Sequence, residues 1–208
     1  MGGCRHLIDF VSTFVSFFAV IDPIGTLPVF VAVTRNHDEA TRRRMAIVAT
    51  AVAAAILVFF VIAGEFILSA MSVPLSAFKV AGGIVLFLFA LTMIFGESKP
   101  EEELRLVESA DEGAIYPLAV PSIAGPGSML AAVLLTENAR FGFVEQLLTT
   151  AVMLFVLSLT FVLMLSAGWI QRRIGQSGAS VVSRVMGLIL ASVSVEAVLS
   201  GIKVYFGL

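Results

Sequence analysis

The sequence predicts an all-α integral membrane fold of six transmembrane helices, built as two inverted three-helix repeats, with the first helix of each repeat discontinuous. Three observations carry that expectation: an apolar composition, the number of spanning segments, and a weak self-similarity at nearly constant offset. Hydrophobic residues make up 59 % of the 208 and charged residues only 13 %, far from the average of a soluble domain. Stretches of about 20 apolar residues, enough to cross about 30 Å of hydrocarbon, occur roughly at 10–34, 45–68, 75–95, 115–136, 142–170 and 182–206. The polar run "GESKPEEELRLVESADEG" at 96–113 leaves three on either side. The expected units are therefore a first repeat at 1–97, a polar cytoplasmic linker at 98–113 and a second repeat at 114–208.

The two halves resemble each other in order and spacing. Gly25-Thr26 and Thr34 align with Gly127-Ser128 and Thr136 at an offset of 102 residues. Ala63-Gly64 aligns with Ala167-Gly168 at 104, and "KVAGGI" (79–84) with "RVMGLI" (184–189) at 105. Self-similarity at fixed spacing points to duplication. Since each half has an odd number of spans, tandem halves must face opposite ways, an architecture shared by many secondary transporters.

The basic residues set the orientation. Arg35, Arg42, Arg43, Arg44, Lys99, Arg105, Arg172, Arg173 and Arg184 fall on one side, against Arg5, Lys79, Arg140 and Lys203 on the other. The richer side is expected in the cytoplasm, with both termini outside. The net charge of −2 argues against a nucleic-acid partner. Cys4 has no partner for an internal disulfide, and His6 and His37 lie outside the apolar runs, so no metal cluster is expected at membrane depth. The first apolar run is expected to be retained, because Asp22-Pro23 interrupts it and no small-residue cleavage site follows cleanly.

That interruption is the most informative feature. Pro23, Gly25 and Pro28 in "VIDPIGTLPVFVAVT", and Gly125, Pro126 and Gly127 in "PSIAGPGSML", make unbroken helices improbable. Unwound backbone at membrane depth is tolerated only in protein or beside a polar cavity. Each break also supplies a helix start, with Asp22-Pro23 or Thr26 in one half and Gly125-Pro126 or Ser128 in the other. Two helix N-termini with unpaired amides then converge, which suits a carboxylate, while Asp22 and unwound carbonyls suit an ammonium group or a small cation. The expected guest is a small zwitterion. A plainer reading makes both breaks packing kinks, with Asp22 capping its own helix; their recurrence at equivalent positions favours binding.

The paired stretches "DPIGTLPVFVAVT" and "PLAVPSIAGPGSM" resemble the signature of the MarC family, and the likeness covers nearly the whole chain. It implies a six-span prokaryotic inner-membrane protein and, as substrate class, small neutral amino acids such as glycine and alanine. Carried over to this sequence, the signature positions Asp22, Pro23, Gly25 and Pro28, with Ala124, Gly125, Pro126, Gly127 and Ser128, form the implied substrate region, and the expected site also takes in Ile24 and Thr26. The chain departs from the common pattern at Thr26, where asparagine is frequent, and at Glu196, where an uncharged amide is.

Glu196 lies well inside the sixth span, where an ionisable side chain is costly and usually faces the protein interior. It is a coupling candidate, or else a neutral acid bonded to Ser192, Ser194 or Ser200 on the same helix or to a neighbouring span. Glu65 and Trp169 are expected at the interface, and Lys79 and Arg184 are expected to snorkel to headgroups. The expected activity is secondary transport by alternating access. A channel or an exporter for another small polar solute or ion is the second reading. Enzyme chemistry is disfavoured, because the spans offer no histidine and only Asp22 and Glu196 as deep carboxylates. No cofactor is expected; the driving ion would be H+ or Na+. The expected partners are a small neutral amino acid and the lipid bilayer, and a homo-oligomer is allowed.

Overall fold

The computed structural model describes residues 3–35, 37–95, 114–137 and 141–207. The linker expected at 98–113 therefore lies outside the described residues. All regular structure among them is helical, in eight elements: α1 (Gly3–Ile21), α2 (Pro23–Val33), α3 (Glu39–Ala70), α4 (Leu75–Phe95), α5 (Ala114–Ile123), α6 (Pro126–Leu134), α7 (Phe143–Leu165) and α8 (Ala167–Phe206). Five segments among the described residues are long and apolar enough to cross a bilayer: Phe10–Val33, Glu39–Ala70, Leu75–Phe95, Phe143–Leu165 and Ser180–Phe206. The chain is thus a multi-pass integral membrane protein.

Local chemistry explains where most helices begin and end. Asp38 caps α3 by accepting the Thr41 amide at 3.3 Å, so this helix starts at Glu39, a turn and a half before the expected 45. At α7, Glu145 reaches back to accept the Gly142 N–H at 2.9 Å, the returning half of a capping box. The fifth and sixth spans depart further from expectation. Instead of a loop between 170 and 182, α7 stops at Leu165 and α8 starts at Ala167, running 40 residues with one non-helical residue, Gly175 (φ 67°). Glycine adopts a positive φ without a Cβ clash, so two helical stretches meet at a sharp kink at Gly175, inside the segment where the sequence placed the loop. Arg173 lies over the Trp169 ring there, 5.1 Å from its centroid.

Glycine contacts fix the tightest packing. Cβ atoms placed on Gly83, Gly187 and Gly201 would lie 2.8 Å from the Ser194 carbonyl, 3.1 Å from the Ala90 carbonyl and 2.9 Å from the Ser76 carbonyl, respectively. These pairings run in opposite directions along α4 and α8, so the two helices are antiparallel with backbones in close approach, as small residues permit in lipid. Around them, α3 packs on α5 and α6, while α7 packs on α1 and α2. The fully buried centre includes Phe17, Ile21, Leu57, Leu118, Ile123, Met153 and Leu157.

Candidate functional site

Both interrupted helices are broken where the sequence placed the breaks, but by different means. Asp22 sits alone in the left-handed region (φ 49°, ψ 66°) between α1 and α2. A non-glycine residue there costs about 1–2 kcal/mol, and aspartate is among the few that accept it, because its short side chain bonds locally. Asp22 Oδ1 accepts the Gly25 N–H at 3.0 Å, and its backbone carbonyl accepts both the Thr26 N–H at 3.1 Å and the Thr26 hydroxyl at 3.1 Å. Its other oxygen, Oδ2, accepts the Ser183 hydroxyl of α8 at 2.5 Å. Asp22, Thr26 and Ser183 are each fully buried.

This geometry corrects the expectation of unpaired amides. The Gly25 amide at the start of α2 is held by Asp22, so the amide cluster expected to be unpaired there is partly satisfied. Nor does Gly25 leave ligand space: a Cβ at this position would fall within the Asp22 carboxylate and 2.7 Å from the Ser183 hydroxyl. Further along, Pro28 lies inside α2 and has no N–H to donate, which removes the helical partner of the Ile24 carbonyl.

The second break is built without a charge. Helix α5 is wound as a π-helix over ten residues, a rare form that concentrates at functional sites. Its winding ends with the Ala124 N–H on the Ala119 carbonyl at 2.9 Å. Gly125 precedes α6 with no side chain to cap it, and Pro126 takes the first position. Ser128 instead bonds backwards, donating to the Ile123 and Gly125 carbonyls at 3.0 and 2.9 Å. Ala124, Gly127 and Ser128 are buried, whereas Gly125 is half-buried and Pro126 exposed. A Cβ on Gly127 would lie 3.2 Å from Leu86 Cδ2.

The two breaks meet. Ser122 of α5 donates to the Thr26 hydroxyl oxygen at 3.3 Å, both side chains being buried. Asp22, Thr26, Ser122 and Ser183 thus form one chain of polar groups linking α1–α2, α5 and α8. Ser122 and Ser183 were missed in the sequence. Ser122 lies inside the quoted second motif, so proximity to Gly125-Pro126 was an available signal; Ser183, at the very start of the expected sixth span, gave none.

Glu196 is not part of this cluster. It is exposed on α8, contrary to the interior placement expected, and the three serines expected to neutralise it bond elsewhere. Ser192 and Ser194 donate to the Leu188 and Ala191 carbonyls, and Ser200 accepts from Lys79 Nζ at 3.0 Å. The reason is rotational: Gly187 and Gly201, together with Ser194 and Val198, face α4, which turns position 196 away from that contact. Lys79, expected to snorkel, is tied to α8 and lines with Glu196, Ser16 and Leu86 a cavity of about 90 Å³. Trp169 is exposed, and Glu65 is half-buried. Among the described residues no group of three or more His, Cys, Asp or Glu stands where it would hold a metal ion.

A broken, polar-centred bundle of this kind narrows the comparison with known families. The family model described as MarC family integral membrane protein matches residues 7–206. The chain belongs to the MarC family. Its similarity to MarC-related proteins extends across archaea and bacteria. It is 36 % identical over 198 residues to a UPF0056 membrane protein of Methanocaldococcus jannaschii, covering 93 % of this chain and 96 % of that one. A UPF0056 membrane protein of Aquifex aeolicus is 33 % identical, covering 93 % and 92 %. The UPF0056 membrane protein YhcE of Escherichia coli is 31 % identical, covering 93 % and 91 %. No solved structure matches this MarC-family chain.

Proposed function

We propose that this MarC-family protein is a secondary transporter of small neutral amino acids across the prokaryotic inner membrane, working by alternating access between two inverted three-helix repeats. The observation that carries this reading is the buried contact between the two helix breaks, through Asp22, Thr26, Ser122 and Ser183. A buried carboxylate with no basic partner among these groups suits the ammonium of a zwitterion. The uncapped start of α6 at Gly125, Gly127 and Ser128 suits its carboxylate, because amides and the helix dipole both favour negative charge there. In this assignment α5 and α6 together form a crossing equivalent to α1–α2.

Packing supports the inverted arrangement. The broken helix of each half packs on the long second helix of the other, α1–α2 on α7 and α5–α6 on α3, and the two third helices, α4 and α8, pack antiparallel. A pseudo-twofold relation between oppositely oriented halves produces this reciprocal pattern. Binding and release complete the cycle, with no catalytic step. Uptake of labelled glycine or alanine by proteoliposomes tests the proposal. Saturable uptake accelerated by unlabelled substrate inside is expected. Flux that does not saturate and shows no counterflow would point to a channel, and absence of flux for both substrates would reject the substrate class.

A further inference from the structure

Two glycines at equivalent repeat positions occupy opposite environments. Gly64 of α3 is buried, and a Cβ placed on it would lie 2.5 Å from Val133 Cγ2 and 3.2 Å from Val133 Cγ1. Val133 of α6, itself only 4 % exposed, is seated on that glycine. The matching residues in the other half are Gly168, at offset 104 from Gly64, and Val31, at offset 102 from Val133. There the seat is empty: a Cβ on Gly168 would meet no atom of the described residues within 4 Å. Gly168 and Val31 instead line one cleft of about 470 Å³ between the end of α2, the start of α3 and the α7–α8 junction.

Neither the backbone angle nor the space beside its Cβ requires glycine at 168. Its φ is outside the left-handed region and its Cβ direction is open, so a larger residue would fit and would have a higher helix propensity than glycine. Gly64 shows what the requirement is when the seat is filled. We propose that the cleft beside Gly168 is the access vestibule for the small zwitterion, open in this conformation, and that it closes when Val31 seats on Gly168 as Val133 now seats on Gly64. This rests on the transport reading above and adds where the substrate enters and what shuts behind it. The vestibule carries both signs of charge that a zwitterion needs, with Arg42, Arg43 and Glu39 along its wall. Arg42 is also anchored to the end of α2, its Nε donating to Thr34 Oγ1 at 3.3 Å, so movement of α2 carries this charge with it. Inverted repeats exchange conformations during alternating access; the filled and empty seats are the two forms of one contact.

The test uses full-length protein in proteoliposomes with Cys4→Ser as background. Val31→Cys is expected to react with a membrane-impermeant maleimide at least tenfold faster than Val133→Cys; equal rates would overturn the open and closed assignment. In Val31→Cys/Gly168→Cys, copper phenanthroline and oxygen should oxidise the two thiols to an intramolecular disulfide, a bond that requires Cα atoms within about 7 Å. Failure to cross-link would overturn closure. Gly168→Val has room to fold in the open state and should block the seat. Its glycine counterflow should fall at least tenfold while Val31→Cys labelling persists, and wild-type counterflow would overturn the seat. If the unsubstituted protein exchanges no glycine, the substrate reading fails, while the labelling and cross-linking still decide the vestibule.

Discussion

The break at Asp22 and the break at Gly125 solve one backbone problem in two ways. The first is sealed: Asp22, Pro23, Gly25, Thr26 and Pro28 are all buried, and one carboxylate holds an amide on its own helix and a hydroxyl from α8. The second is neutral and partly open, ended by a π-helix, with Ser128 bonding back to carbonyls and leaving the helix start without a side-chain cap. Sequence symmetry of the two motifs therefore does not make their chemistry symmetric. One half brings a carboxyl group and the other brings amides, which is the division that the proposed zwitterion would need.

The sharpest way to break this comparison is Asp22→Asn. The amide keeps an oxygen for the Gly25 N–H and near-identical volume, so the protein should fold and elute as the wild type does. Glycine uptake should fall at least tenfold, since a hydrogen bond to a charged group contributes about 1.5–3 kcal/mol. Unchanged uptake would make the carboxylate purely structural. Next come the glycines. Gly25→Ala forces a Cβ into Asp22 and Ser183 and should destabilise by about 1–3 kcal/mol in the manner of an overpacked core. Gly127→Ala meets the flexible end of Leu86 and, at ordinary contact distance, the Phe89 ring, and it gains helix propensity, so its change should stay within about 1 kcal/mol. Denaturation midpoints in detergent compare the two, and equal losses would erase the asymmetry. Ser122→Ala removes the Ser122–Thr26 hydrogen bond that joins the breaks and should cost about 0.5–1.5 kcal/mol, with a larger effect on substrate KM than on expression.

The smallest effect lies outside the membrane. Hydrogen bonds from the Thr41 hydroxyl and amide hold the Asp38 carboxyl below the usual carboxylate range. A depressed pKa means its capping contribution is present above the ordinary carboxylate pKa and is lost as pH falls through the lowered value. Amide exchange in the first turn of α3 should therefore quicken at acid pH in the wild type, and Asp38→Ala should abolish that dependence.

The helix breaks were legible in the sequence because proline and glycine act locally: Pro23, Pro28 and Pro126 lack a donor wherever the chain goes. Membrane residence and the length of the apolar segments were legible for the same reason, since each depends on composition within one window. The path between the fifth and sixth spans was legible only in part: the break falls at one glycine, Gly175, with helix on either side of it, where polarity alone suggests a longer loop. Glu196 was misplaced because its direction depends on which face of α8 meets α4.

By itself the sequence determined the solvent of this protein, the positions of its two interrupted helices and its membership of the MarC family, all consequences of residue type and spacing along the chain. Tertiary structure alone decided that Ser183 reaches Asp22 across 161 positions, that Ser122 joins the breaks, and that Val133 is seated while Val31 is not. Those contacts depend on the rotation and approach of packed helices, and neighbouring helices set both.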